Sequence, residues 1–286
     1  MSISAFASVS GASTRPMPIL TRQPPRLEAL NRLATREERL PFTVRVARGE
    51  EALLKAVAVR HAAYARHLPE LAARLSEPED IDREPGVVVL LAESKLDGSP
   101  LGSARIQSNR FRPLCVEQSV QLPAHLAHGR LAEVTRLGIV GGSVGRLVRI
   151  VLIKACFQYC EQQGIEWAIA AGRAPIDRQY EQLLFEDLYP EQGFIPLQHA
   201  GNLPHRVMGF EIATGPSRWM AAQHPLLDFF CHTRHPDVDL GEAETPPLLQ
   251  GVRERDPHPS WIGVMGGMGA GLRGMDLSGG PGVALA

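Results

Sequence analysis

Cysteine is scarce. Cys115, Cys156, Cys160 and Cys231 are the whole complement of a 286-residue chain. They are too few for a disulfide scaffold and include no C-x-x-C pair, so a reducing cytoplasm is the expected compartment. Long apolar runs are also missing. Val87 to Ala92 is short, Arg146 and Arg149 interrupt the next candidate, and a membrane span needs ~18 residues. No transmembrane segment is therefore expected. Nor is there an excess of one charge: 30 Lys and Arg face 31 Asp and Glu, for a net charge of −1. That excludes affinity for nucleic acid drawn from a large positive field. What is present, 44% hydrophobic and 21% charged residues, is globular and excludes collagen, coiled coil and wholesale disorder.

The ends differ from the middle. Residues 1–40 are rich in Ser, Ala, Arg and Pro, with no acid before Glu28. They lack the compact apolar stretch and cleavage site of a signal, and a flexible N-terminal arm is expected. Residues 241–286 are Gly- and Pro-rich; they hold too few large side chains to offset backbone entropy, and a disordered tail is expected. Residues 41–240 remain as one domain.

Periodicity alternates within that domain. Leu53, Val57, Tyr64 and Leu68 mark a helical stripe. Strands are expected over 86–93, 101–107 and 131–140, with Asp97-Gly98 turning the first hairpin. A loop over 141–145 leads to a helix over 146–162. A strand over 166–171, a helical stripe at Ile176, Tyr180, Leu184 and Leu188, and a strand through Met208, Phe210 and Ile212 follow. The economical solution is an α/β, or α+β layered, domain: one sheet with helices on its faces.

Three groups of residues carry chemistry. Arg60 sits on the apolar stripe of its own helix, where a guanidinium needs carboxylate partners. Glu77, Glu79, Asp80, Asp82 and Glu84 follow it. A solvated acidic loop describes most of them. Arg60 with Asp80 or Asp82 reads equally as a polar cleft or a structural ion pair. In Glu133-Val134-Thr135-Arg136, a regular strand places Glu133, Thr135 and Leu137 on one face and Val134 and Arg136 on the other, unless a bulge re-aims Arg136. A glutamate midway along an apolar strand needs a partner or a cleft. The third group is Gly141-Gly142-Ser143-Val144-Gly145-Arg146. Free N–H groups at a helix start favour an anion, although a flexible turn looks the same. Arg146 and Arg149 share one helix face.

The order of these pieces resembles the acyl-homoserine-lactone synthases and, more closely, the long-chain N-acyl amino acid synthases of the GCN5-related N-acyltransferase (GNAT) superfamily. It is carried by Arg60 and Tyr64, the Glu-Asp-Ile-Asp stretch, Gly102-Ser103-Ala104-Arg105, Glu133-Val134-Thr135-Arg136 and Tyr189 to Phe194. It spans roughly residues 42–210. The resemblance implies a mixed, largely antiparallel sheet with splayed strands and helices on both faces. It implies a fatty acyl donor carried as a phosphopantetheine thioester on acyl carrier protein, with no bound cofactor and no metal. The arm would lie along Thr135 to Val140, against Leu137 and Ile139. Its phosphate would sit over Gly141, Gly142, Ser143, Gly145 and Arg146, with Arg149 beside it. The glycine loop departs from the superfamily's coenzyme A signature, which favours the carrier protein over acyl-CoA. The resemblance also makes Glu133 the general base, with Thr135 and Arg136 beside it, and makes Arg60, Tyr64, Asp80, Asp82 and Arg105 the acceptor cleft. A small amine is the expected acceptor, an amino acid above all, because Arg60 or Arg105 can hold its carboxylate. The usual tryptophan between the first arginine and the acidic pair is absent, and Leu137 replaces a phenylalanine, which turns the reading away from the lactone synthases. An inactive fold that only binds a partner is the alternative of another class.

Other candidates are weaker. Cys156 and Cys160, one turn apart, read as core. Cys231, His232 and His235 lack a second pair of metal ligands. Residues 217–233 read as one or two amphipathic helices that cap the domain or line an acyl tunnel.

Overall fold

A computed structural model describes residues 36–241. The expected N-terminal arm and C-terminal tail fall outside the described residues, apart from 36–40 and Gly241. Within that short part of the arm, Arg36–Glu37 (β1) pair in parallel with Thr233–Arg234 (β10), and Leu40 is buried.

The sheet is mixed and largely antiparallel. Its strands are Phe42–Val46 (β2), Val87–Ser94 (β3), Pro100–Ser108 (β4), Leu131–Ile139 (β5), Trp167–Gly172 (β6), Glu186–Asp187 (β7), Ile195–Leu197 (β8), Leu203–Glu211 (β9) and Val238–Asp239 (β11). They run in the order β11-β2-β3-β4-β5-β6-β9-β7, with β8 also on β9. The β5–β6 pair in the middle is parallel, and its ladder ends at Val134↔Ala170. From Thr135 onward β5 continues without β6, so the two strands splay apart.

Two helices clamp this sheet. Glu50–Ala65 (α1) buries Leu53, Ala56, Val57, Arg60 and Ala63 at helical spacing, and Glu50 and Glu51 complement the dipole of its first turn. Its approach to β5 is so close that a Cβ on Gly138 would lie 2.7 Å from the Arg60 backbone. Pro69–Ala73 (α2) follows α1. On the other face lies Gly142–Gln162 (α3), whose Val148, Val151, Leu152 and Ala155 form the main core with Leu90, Ala104, Ile106 and Ala132. Asp177–Gln182 (α4) and Gly215–Ala221 (α5) complete the set.

Two expected elements are corrected. The glycine loop is shorter than expected, because Gly142 to Gly145 already form the first turn of α3. Glycine at 145 permits this: a Cβ there would lie 2.0 Å from the Val140 carbonyl oxygen. The second correction is the helical stripe from Ile176 to Leu188, which stops at Gln182. Leu184 takes φ +68°, and Leu183 and Phe185 both donate to the Tyr180 carbonyl. The chain then pairs with β9. The additional ladder outcompetes propagation of a short helix.

The 217–233 segment forms α5 and a π-type turn at Asp228–His232, with Trp219 and Phe230 buried. Lys154 of α3 is fully buried beneath that turn and donates to the Phe229 and Thr233 carbonyls. No described helix is long and apolar enough to cross a membrane.

Candidate active site

The face of the sheet toward α1 carries a polar stripe. On β4, Ser103, Arg105 and Gln107 point to it, while Gly102, Ala104 and Ile106 point to α3. On β5, Glu133 faces Gln107 and Thr135 faces Arg105. Apolar clusters flank the stripe: Val57, Val89 and Leu91 on one side, Val116, Ile169 and Leu197 on the other.

Arg136 breaks the regular pleat. It has φ +55°, and the β4–β5 register shifts between Ser103 and Arg105. This bulge reverses the expected facing. Arg136 joins Glu133 and Thr135, whereas Leu137 turns to the α3 side with Val134. A left-handed residue inserted into the strand shifts every later side chain by one position.

The arginines then meet acids from a loop and a 3₁₀ turn, Asp80–Arg83. Arg60 forms a two-pronged pair with Asp82, at 2.9 and 3.2 Å. Arg105 donates to Asp82 at 3.2 Å, to Glu79 at 2.9 Å and, through Nε, to Thr135 Oγ1 at 3.0 Å. Arg136 grips both Glu79 oxygens at 2.7 Å and the His199 carbonyl at 3.0 Å. Three guanidinium groups against two carboxylates leave one positive charge uncompensated. Burial alone would raise the Glu79 carboxyl, but Arg136, Arg105 and Arg60 outweigh it and hold it at about 2. Asp82 is lowered by the same contest between burial and arginine. Tyr64 lies alongside; burial raises its phenol against the pull of the arginines.

The acceptor-cleft expectation therefore needs correction. Asp80 is exposed and outside the network; the second carboxylate is Glu79, which the sequence reading left in a solvated loop. Arg60 and Arg105 are each 1% exposed, and ion pairs engage both Arg60 Nη groups and Arg105 Nη1, while Arg60 Nε is unpartnered. They form the floor of the site, not an open carboxylate clamp.

Glu133 is fully buried. Its Oε2 accepts the Val116 N–H at 3.0 Å. Its Oε1 has no hydrogen bond and lies 3.4 Å from His199 Nε2. Burial raises its carboxyl to about 7, against the opposing pull of the Val116 N–H and Arg105. Burial, and then Arg136, lower the His199 imidazole to about 4. Glu133 is thus a poised carboxyl, and among the described residues no arginine pairs with it. His199 was not legible in the sequence: it reaches the site from the turn between β8 and β9, and no local pattern marks it.

The donor candidates cluster at the far end of β5. Gly141, Gly142 and Ser143 lie exposed at the start of α3, and that helix has no acid in its first turn and no side-chain cap. Gly145 is buried in close packing. Arg66, also unforeseen, donates to the Ile139 carbonyl at 2.5 Å. Arg146 is exposed, but Arg149 is bonded to Gln179 at 2.6 Å and lines a side groove. On the α3 side of the β5–β6 split lies an apolar cavity of about 40 Å³. Leu137, Ile153, Phe157, Tyr180, Trp219 and Phe230 are among its walls.

The fold is matched in a solved structure. FeeM, an N-acyl amino acid synthase from uncultured soil microbes, superposes with a TM-score of 0.50 over 64% of this chain and 96% of its own, at 15% identity. The chain has the GNAT fold. Weaker similarity extends to BjaI, a CoA-dependent acyl-homoserine lactone synthase (TM-score 0.45, 16% identity, 68% and 93% coverage), and FdhC, a nucleotide-linked sugar GNAT (TM-score 0.40, 8% identity, 64% and 94% coverage). No family model and no curated protein matches the sequence.

The remaining candidates resolve within this domain. Cys156 and Cys160 are buried core residues that border the cavity. His235 Nδ1 lies 3.1 Å from Lys154 Nζ, and His232 pairs with Asp228, so these histidines and Cys231 do not converge on a metal position.

Proposed function

We propose that the protein is an N-acyltransferase that moves a fatty acyl group from an acyl carrier protein thioester to the amino group of an amino acid or similar small amine. The observation that carries this reading is Glu133: a carboxyl raised to about 7, unpaired with any arginine, two residues before β5 parts from β6. A base poised near neutral pH is suited to deprotonating an ammonium group, and such a base contributes ~10²–10⁴ in rate.

The other parts take roles around it. The unpaired edge of β5 after Thr135 offers its backbone to a pantetheine arm. The uncapped start of α3 offers N–H groups to the phosphate, with Arg66 and Arg146 close by. The apolar cavity takes the first carbons of the acyl chain. The uncompensated positive charge of the arginine network favours an acceptor that carries a carboxylate. Once deprotonated, the amine attacks the thioester carbonyl; the C–N bond forms, the C–S bond breaks, and the thiol leaves with a proton.

Expression of the wild type and Glu133→Gln in a bacterial host, followed by mass spectrometry of lipid extracts, tests this reading. N-acyl amino acids that vanish with the substitution support it. Acyl lactones would point to the autoinducer synthases, and no new lipid from a folded protein that binds acyl carrier protein would indicate a binding module.

A further inference from the structure

His199 has no role in the site described so far, yet its placement is specific. It lies in the 3₁₀ turn Gln198–Ala200, and its carbonyl accepts Arg136 Nη2, so the arginine network fixes the turn. Two buried polar atoms that lack partners meet at its ring. One is Glu133 Oε1, 3.4 Å from Nε2; the other is its own Nδ1. An unpartnered buried polar atom is costly, and a native fold that keeps two of them in one contact pair calls for a functional explanation. Glu133 is fully enclosed and the apolar cavity does not reach it. The His199 side chain, by contrast, keeps 8% of its surface exposed, so the ring is the more accessible of the two groups.

We propose that His199 relays the proton from the acceptor ammonium group to Glu133. With the Nε2 proton directed at the ionised Glu133, Nδ1 presents a lone pair. The ammonium group gives a proton to Nδ1 while Nε2 gives its own to Oε1. The products are a neutral amine, the other neutral imidazole tautomer and a protonated Glu133; no charge is left on the ring. This rests on the reading of Glu133 as the base.

The surroundings support a neutral relay. Arg136 from β5, Arg105 from β4 and His205 from β9 all oppose a charged imidazole, while the Cys115 backbone opposes them weakly. With His199 at about 4 and Glu133 at about 7, the proton comes to rest on the carboxyl.

The test uses the full chain with lauroyl- and palmitoyl-pantetheine thioesters and the common amino acids, following thiol release and product mass. His199→Gln should lower kcat by about 10²-fold or more with little change in the KM for the thioester. Added imidazole should restore part of the rate to His199→Ala but none to Glu133→Gln, and the double variant should be no slower than Glu133→Gln alone. A wild-type rate for His199→Gln beside an inactive Glu133→Gln overturns the relay and leaves the base in place. A wild-type rate for Glu133→Gln overturns both. Nitrogen-15 spectra of labelled histidine need no turnover. They should show the His199 tautomer changing as Glu133 titrates near pH 7, and Glu133→Gln should abolish that change. A His199 signal indifferent to Glu133→Gln overturns the relay.

Discussion

Glu133 is destabilising where it is useful. Its folded value, about 7, lies above its ordinary 4.5. The stability tied to this group is full below about 4.5 and is lost as pH rises to about 7, an effect of roughly 3 kcal/mol at 1.36 kcal/mol per unit. Glutamine keeps the acceptor for the Val116 N–H without the buried charge. Glu133→Gln should therefore melt several degrees above the wild type at pH 8 and close to it at pH 4.5, as read by thermal denaturation at both values. Equal melting temperatures at pH 8 would place Glu133 in a wetter setting. Of the residues here, the sequence made Glu133 and Arg60 legible, because a charge within an apolar period needs a partner, and left Asp80 and Asp82 as alternative partners for Arg60. Glu79 was hidden among four neighbouring acids, and His199 by its distance along the chain.

At the scale of elements, the bulge at Arg136 organises the site. Strand existence was legible from apolar runs. The facing of Arg136 and Leu137 was not legible, since a single left-handed residue leaves no signature without glycine. The bulge delivers Gly138 to α1 at van der Waals limit, so Gly138→Val must push α1 off the sheet. An overpacked contact of this kind costs about 1–3 kcal/mol, and the variant should show a lower melting temperature together with loss of acyl transfer. A stable, active Gly138→Val would contradict the close packing of Arg60. On the opposite face, Ile153 and Leu183 wall both the apolar cavity and the groove lined by Arg149, Gln179 and His224. Ile153→Ala should join the two and shift the products toward longer acyl chains, as measured by mass spectrometry of the lipid extracts.

For the molecule as a whole, the fold follows from one sheet with a helix on each face, which the order of apolar periods already suggested. The edge strand β11 and the separate β1–β10 pair escaped notice because two-residue pairings carry no periodicity; the chain order of the elements alone does not place them. The near-neutral charge hides a local asymmetry. Arg66 and Arg146 stand at the exposed start of α3 beside the half-exposed Val144, a face suited to an acidic carrier. Its attraction should weaken with ionic strength. Arg66→Ala with Arg146→Ala should flatten the salt dependence of acyl carrier protein binding by more than Arg149→Ala, whose guanidinium is already held by Gln179. An unchanged slope would move the docking face elsewhere.

The central claim is that Glu133 removes the proton from the acceptor amine. Its most direct measurement is the pH dependence of acyl transfer by the purified full chain, wild type against Glu133→Gln. The wild-type rate should rise through pH 7 as the carboxyl ionises, and Glu133→Gln should fall by about 10²-fold or more and lose that limb. A Glu133→Gln variant that keeps both the rate and the limb would contradict the claim.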